Sequence, residues 1–360
     1  MTRLVELYPE HRFVVYVADD PADTTLLGGA DVRRVALARP PGSAEVWEGR
    51  TVSDILRLTR AVLRDRPDVV LCPSLRSYLP VPRAPVVVGI LDAVLRDAPS
   101  SWLPDRRDRI AFRIKSALAL RTAARLFTIS TVARDEVARA YGIAAERLTV
   151  VPLAADPVFR PRSPAEVEAA RRLAGLGEDE PIVVCACGFD PHKNLGTLVS
   201  AFASVRLVSG RLPRLVIAGR TLASEAAALR ARTRELGLGE RVVLPGFVSD
   251  DVLAALYTGA QAAVVPSLTE GFGLPAVEAA ACGSPVILSD IPAHRETIGD
   301  AGLFFRPTDA DALQRLLERV IADEALQQRL GEAARETVGS LTWDDAAVVL
   351  ERLLCEAARG

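Results

Sequence analysis

Twelve short runs of apolar, β-branched residues, separated by helical patterns, constrain this chain more than any other feature. Six fall in the first half: RFVVYVAD (12–19), VRRVAL (32–37), DVVLCP (68–73), VVVGILD (86–92), RLFTIS (125–130) and LTVVPL (148–153). Six fall in the second: IVVCACGF (182–189), RLVIAGR (214–220), RVVLPGF (241–247), AAVVPS (262–267), PVILS (285–289) and GLFFRP (302–307). Between them, stretches such as 52–65, 131–140, 223–236 and 309–321 repeat apolar residues every three or four positions. A strand that is apolar throughout is covered on both faces, and helices between strands supply the cover. The pattern predicts an α/β fold: two doubly wound, Rossmann-like domains with a parallel sheet each, facing across a cleft. The break falls at 154–180, in the proline-rich segment AADPVFRPRSPAEVEAARRLAGLGEDEP, read as a linker with a short helix. The expected limits are a first domain at 1–155, a linker at 156–180, a second domain at 181–340 and a terminal helix at 341–360.

Charge and composition narrow the partners. Acidic residues number 46 against 44 lysines and arginines, a net charge of -2. That balance excludes a chain held to nucleic acid mainly by bulk charge. No apolar stretch approaches the ~20 residues of a membrane span, and the opening MTRLVELYPEHR lacks signal-peptide character. The five cysteines (72, 185, 187, 282 and 355) sit mostly in apolar runs and read as reduced core thiols of a cytoplasmic protein. Only two basic residues are lysines, Lys115 and Lys193. A compact ammonium kept where arginine is the rule marks a position worth inspecting.

Ligands of such sheets bind beyond the carboxyl ends of the strands, so chemistry is sought in the loops that follow them. The strongest cluster is PSLTEGFGLPAVE, residues 266–278, after the run AAVVPS and leading into a helix. Pro275 suits the first helical turn, and Gly271 and Gly273 permit close backbone approach and positive φ. Amides around 273–277, with the backbone of Gly271, Phe272, Gly273 and Leu274 and the helix dipole, make an anion site suited to a diphosphate. Glu270 and Glu278 flank it. Carboxylates repel phosphate, so they read as acceptors for sugar hydroxyls on either side of the diphosphate. The plainer alternative is a glycine-rich turn with a solvated and a capping glutamate; the thirteen-residue arrangement favours a site. The second cluster, GFDPHKN at 188–194, follows IVVCACGF. There Lys193, with Gly188 and Asn194, is placed to meet phosphates, while His192 reads as a loop residue. Arg220 closes the second run of this half and suits phosphate or sugar contact, or is a surface arginine. Phe247 and Val248, after Gly246, could pass their backbone along a nucleobase.

These residues resemble the carboxyl-terminal donor domain of the family-four retaining glycosyltransferases, of the two-domain GT-B fold. The resemblance runs from about 181 to 323 through GFDPHKN, RLVIAGR, the stretch VVLPGFVSDDVLAALYTGAQAAVVPSLTEGFGLPAVEAAACGSPVILSDIPAHRE and GDAGLFFRP. It extends more weakly into the first half through DVVLCPS, RLFTIST and ERLTVVPLAADPVFRP. Glu270 and Glu278 fall on the family's paired-glutamate motif. The resemblance implies that Glu270 contacts the donor sugar, Glu278 the ribose, the intervening amides the diphosphate, and Lys193 the phosphates. It also implies that SLTWDDAAVVLERLL is the terminal helix that crosses back onto the first domain. Three departures stand out. LVELYPEHRFVVYVAD reads as the end of the family's first helix and its second strand, so the first strand and glycine-rich loop are expected to be missing. Leu91 stands where many relatives carry a histidine, leaving Asp92 alone. Phe189 follows Gly188 where arginine is frequent, with Arg220 as the replacement charge.

The implied reaction is retaining transfer of a hexose, mannose by resemblance, from a nucleotide-diphosphate sugar to a glycan or lipid-linked acceptor. Helix amides and Lys193 would stabilise the leaving diphosphate, so no metal and no cofactor are expected. The doublets Asp19-Asp20 and Asp250-Asp251 read as turn or helix-cap residues rather than metal ligands. Glu270, Lys193 and Asp92 are the candidate catalytic residues, with Asp92 as the one base. Residues 105–125 hold seven cations among Ile110, Phe112, Ile114, Leu118 and Leu120. They read as a solvated helix packed on the sheet, or as a peripheral membrane contact. Two alternatives stay open: a sugar-nucleotide epimerase, and a catalytically impaired nucleotide-sugar-binding partner.

Overall fold

A computed structural model of the chain describes residues 2–18, 29–35, 52–93, 96, 105–177, 180–207 and 212–360. It divides into two compact units, Met1–Leu153 with Thr342–Gly360, and Ala154–Leu341.

In the first unit, β1 (Val14–Ala18) pairs in parallel with β2 (Asp31–Val35). Four further parallel strands follow in order: β3 (Val70–Cys72), β4 (Val86–Gly89), β5 (Arg125–Thr128) and β6 (Leu148–Val150). All six apolar runs are strands, but among the described residues they make two sheets instead of one. Tyr16 and Val35 join the first pair to the neighbouring core by side-chain packing, with no ladder between the sheets. β4 shows why its sequence is apolar throughout. Val86 and Val88 pack with Leu58, Val62 and Ala119 from helices Val52–Asp65 and Arg106–Thr122. Val87 points the other way, into Phe127, Val151 and the helix Trp343–Ala358 through Leu353 and Ala357. The last helix of the chain thus belongs to the first unit's core.

The second unit holds β7 (Ile182–Ala186), β8 (Arg214–Ala218), β9 (Val242–Gly246), β10 (Ala262–Val265), β11 (Val286–Ser289) and β12 (Leu303–Phe305). They form one parallel sheet in the order β12-β11-β10-β7-β8-β9. β7, β8, β10 and β11 are almost wholly buried, and Leu198, Phe202, Leu313 and Leu317 from flanking helices fill the core. The chain builds outward from β7 to β9, then returns to β10 on β7's other side. The loops after β7 and β10 therefore diverge over a topological switch point, where ligands of open α/β sheets bind. Residues 156–180, read above as a linker, are part of this unit. The helix Pro164–Leu173 starts with a capping box between Ser163 and Glu166. Its leading segment docks on the helix Asp250–Thr258: the Arg162 amide donates to Thr258 Oγ1 at 3.2 Å and its guanidinium to Asp251 at 2.8 Å. Asp250 and Asp251 lie in that helix's first turn, after the N-cap Ser249. Asp19 and Asp20 lie outside the described residues.

Candidate active site

The two loops over the switch point are tied together. After β7, Pro191–Lys193 forms a single 3-10 turn, and Asn194 takes the left-handed region at φ 56°. The Asn194 amide nitrogen donates to the carbonyls of Pro266 at 2.9 Å and Pro307 at 2.6 Å, joining the loops after β7, β10 and β12. The Leu268 amide donates to the His192 carbonyl at 2.7 Å. These bonds bring Lys193 to Glu270: Nζ donates to Oε1 at 2.6 Å, with side chains only 15% and 12% exposed. Ser267 Oγ donates to the same Oε1 at 2.7 Å, so Oε2 is the oxygen left for a ligand. Burial pushes the Glu270 carboxyl up, but Lys193 and Ser267 outweigh it and hold the group below its ordinary value. Asn194, expected to touch a donor, spends its amide on the loop carbonyls and acts as a brace.

The helix Leu274–Ala281 begins at Gly273, whose φ is 85°. The amides of Ala276 and Val277 donate to the Gly273 carbonyl at 2.9 and 3.3 Å, and Pro275 has none. The donors at this helix start are thus the amides of Gly273 and Leu274, fewer than the 273–277 range expected. Phe272 is 5% exposed, so its ring is core and only its backbone can face a ligand. Glu278, one turn into the helix, is half-buried. Burial, then the like charges of Asp250 and Asp156, push its carboxyl up to about 7. The two glutamates are therefore electrostatically unlike: one ion-paired and charged, the other poised to hold a proton near neutrality.

Sequence reasoning missed the support beneath this turn. His294, fully buried on the helix Pro292–Ile298, places Nδ1 2.9 Å from the Ser289 carbonyl. That carbonyl requires a proton on Nδ1, and burial pushes the imidazole down, so the ring is neutral. Nε2 has no partner among the described residues. A Cβ on Gly273 would stand 2.8 Å from His294 Cδ2, which is why the turn takes glycine there. Ser289 Oγ donates to the Ser267 carbonyl at 2.5 Å, anchoring the start of the loop. Their sequence signal is faint, because Ser289 and His294 stand among other polar residues, Asp290, Arg295, Glu296 and Thr297, that follow β11.

The remaining candidates are placed as follows. Gly188 is half-buried at the β7 exit. Gly219 is dictated by crowding, since a Cβ there would lie 1.9 Å from the Cys187 carbonyl oxygen. Beyond it, the Arg220 guanidinium stacks over the Phe247 ring at 4.7 Å, joining the loops after β8 and β9. Phe247 is 63% exposed and Val248 half-buried. His192 is half-buried, and burial pushes its imidazole down. Gly271 is likewise half-buried beside Glu270. Asp92 belongs to the other unit, after β4, next to Leu91, which packs on the Val87, Phe127 and Leu353 core. Lys115 donates to the Arg76 carbonyl.

Comparison with known proteins fits this geometry. Residues 166–337 match the family "Glycosyl transferases group 1", and residues 2–159 match "Glycosyltransferase Family 4". The second unit thus matches the group 1 glycosyltransferase model and the first unit the family-four model. One relative, O-antigen chain mannosyltransferase B of Escherichia coli, is 29% identical over 243 residues, 66% of this chain and 62% of that protein. MMP alpha-(1->4)-mannosyltransferase of Mycolicibacterium hassiacum is 32% identical over 227 residues, 62% of this chain and 51% of that protein. The matched region thus spans less than two thirds of these curated relatives. The structure of sucrose-phosphate synthase from Thermosynechococcus elongatus superposes with a TM-score of 0.77 at 22% identity, covering 99% of this chain and 91% of that one. Anabaena Alr3699/HepE, solved with UDP and glucose, gives 0.77 at 18% identity, covering 100% and 95%. The fold is GT-B.

Proposed function

We propose that this glycosyltransferase moves a hexose, mannose first among candidates, from a nucleotide-diphosphate sugar to a glycan or lipid-linked acceptor. The observation that carries the reading is the Lys193–Glu270 pair at the switch point, beside the open amides of Gly273 and Leu274. Lys193 Nζ has three N–H donors and gives one to Glu270, so two serve phosphate oxygens. With the helix start they stabilise charge growing on the leaving diphosphate, and no metal is needed for that role. Glu270 Oε2 takes a hydroxyl of the donor sugar, and Glu278 the ribose. The Arg220–Phe247 platform lies against the base, with the Val248 backbone along its edge. The leaving phosphate takes the acceptor proton with retention of configuration, and Asp92 is the one protein group proposed as base. Mannose rests on the relatives' names, which also place those proteins in O-antigen synthesis.

The acceptor side has its own support. On the helix Arg106–Thr122, Phe112 and Leu120 pack on the core while Ser116 and Ala119 are buried. Ile110, Ile114 and Leu118 lie four residues apart on the opposite arc, 48%, 64% and 41% exposed. One arc of the helix thus packs on the core, as the solvated-helix reading expects, while a second apolar arc is exposed. An exposed apolar stripe among arginines suits a peripheral contact with anionic lipid at the cytoplasmic membrane face.

A panel of nucleotide sugars read by thermal shift, followed by transfer assays of wild type and Lys193→Ala, tests the proposal. One nucleotide-diphosphate sugar should stabilise the chain, nucleotide release should require an acceptor, and Lys193→Ala should slow transfer by about 10²–10³. Sugar interconversion without acceptor would replace this reading with an epimerase. Binding without turnover would replace it with a non-catalytic partner.

A further inference from the structure

We propose that His11, Glu351 and Cys355 form a zinc site that staples the amino-terminal segment to the carboxyl-terminal helix. Glu351 and Cys355 are one turn apart on the helix Trp343–Ala358, so their side chains emerge on one face. His11 arrives from a segment 340 residues earlier, held by the helix Thr2–Leu7, whose Arg3 pairs with Asp344 at 2.6 Å. Tyr8 stacks on the His11 ring and Phe13 meets its edge, both at 6.1 Å between centroids, which fixes the imidazole's direction. One nitrogen, one oxygen and one sulfur thereby converge, all within 4.8 Å of one another.

The spacing is that of a coordination shell. His11 Nε2 lies 3.2 Å from Glu351 Oε1, Cys355 Sγ 2.9 Å from the same oxygen, and Sγ 3.8 Å from Nε2. Tetrahedral zinc with ordinary bond lengths needs edges of about 3.3 Å for N···O and about 3.5 Å for the two edges to sulfur. Two edges already agree within about 0.3 Å; the third opens by roughly 0.6 Å once the S–H···O bond is replaced by metal. A thiolate, an imidazole and a carboxylate together select zinc among common hard and soft ions. The ligands' two negative charges balance the ion. His11 is 39% and Glu351 22% exposed at the side chain, so the fourth position opens to water. A depression of about 550 Å³ lined by Glu6, Glu10 and His11 gives solvent a route in.

In the metal-free state Cys355 donates its S–H to Glu351. Binding forms the Zn–S and Zn–N bonds, breaks S–H, shifts the neutral imidazole's proton from Nε2 to Nδ1 and sends one proton, the thiol's, to the buffer. The site belongs to the first unit and does not depend on the sugar-transfer reading. The test uses the full chain stripped with chelator and titrated with Zn²⁺ alone against a chromophoric chelator. Expected are one ion per chain with a dissociation constant of about 1 µM or tighter, and a buffer-dependent calorimetric heat matching one proton. Co²⁺ in its place should give a thiolate charge-transfer band. His11→Ala and Cys355→Ser should each abolish tight binding, and Cys187→Ser should retain it. Weak binding to the wild type, or tight binding that survives both His11→Ala and Cys355→Ser, would overturn the site. If Cys355→Ser fails to fold, His11→Ala with the cobalt spectrum decides alone.

Discussion

Glu278→Gln isolates the electrostatics of the second glutamate. Burial and the charges of Asp250 and Asp156 raise the wild-type carboxyl from an ordinary 4.5 to about 7. The folded chain therefore keeps a proton there that the unfolded chain has released, throughout the window from about 4.5 to about 7. A raised carboxyl contributes stability at the acidic end and loses it as pH climbs through the folded value. Linkage over pH 5 to 8 gives a ceiling of about 2.5 kcal/mol. Glu278 keeps some solvent contact, so about 1–2 kcal/mol is the expected effect after screening. Glutamine keeps the shape and cannot ionise. In urea unfolding followed at pH 5, 6, 7 and 8, the stability of Glu278→Gln minus wild type should rise by that amount, most steeply between pH 5 and 7 and levelling off above pH 7. Every other titrating group is common to both chains and cancels. A difference that stays flat within about 0.5 kcal/mol, measured against the ~1.4 kcal/mol that accompanies each pKa unit, would refute the claim that the helix Leu274–Ala281 carries a strained carboxylate.

Gly273→Ala should lose about 1–3 kcal/mol, because alanine at φ 85° is disfavoured and its Cβ would press on the buried His294 ring. Chemical denaturation and calorimetric donor binding measure it, and unchanged values in both would show that the turn is not held by that contact. Ile114→Asp should cut co-sedimentation with anionic vesicles severalfold while leaving nucleotide-sugar binding intact; equal sedimentation would remove the lipid contact.

The strands were readable because parallel sheets are covered on both sides, which forces runs such as VVVG and IVVCA to be apolar at every position. Ladder partnership was not, since pairing depends on contacts far apart along the chain; among the described residues, β1 and β2 joined each other and met the next sheet through side chains. Lys193 was readable by scarcity and position. Its pairing with Glu270, 77 residues away, depends on which loops leave the sheet on either side of the switch. The helix Arg106–Thr122 was ambiguous because apolar residues occupy both arcs, and only packing shows that Phe112 is covered while Ile114 is not.

The turn at 270–274 gathers its polarity from a small number of constraints that reinforce one another. Gly273 turns because nothing larger fits over His294, and its carbonyl then absorbs the Ala276 and Val277 amides. That leaves the amides of Gly273 and Leu274 as the donors at the helix start, so the proposed anion cradle is a short one. Lys193 supplies the missing positive charge, and its pairing with Glu270 keeps both ions solvated by each other when no donor is bound. A phosphate arriving at Lys193 need not break that pair, because ammonium can serve both anions at once. Glu270 thus lowers the cost of holding a buried lysine in the empty site, and this is a separate physical role from any contact it makes with a sugar.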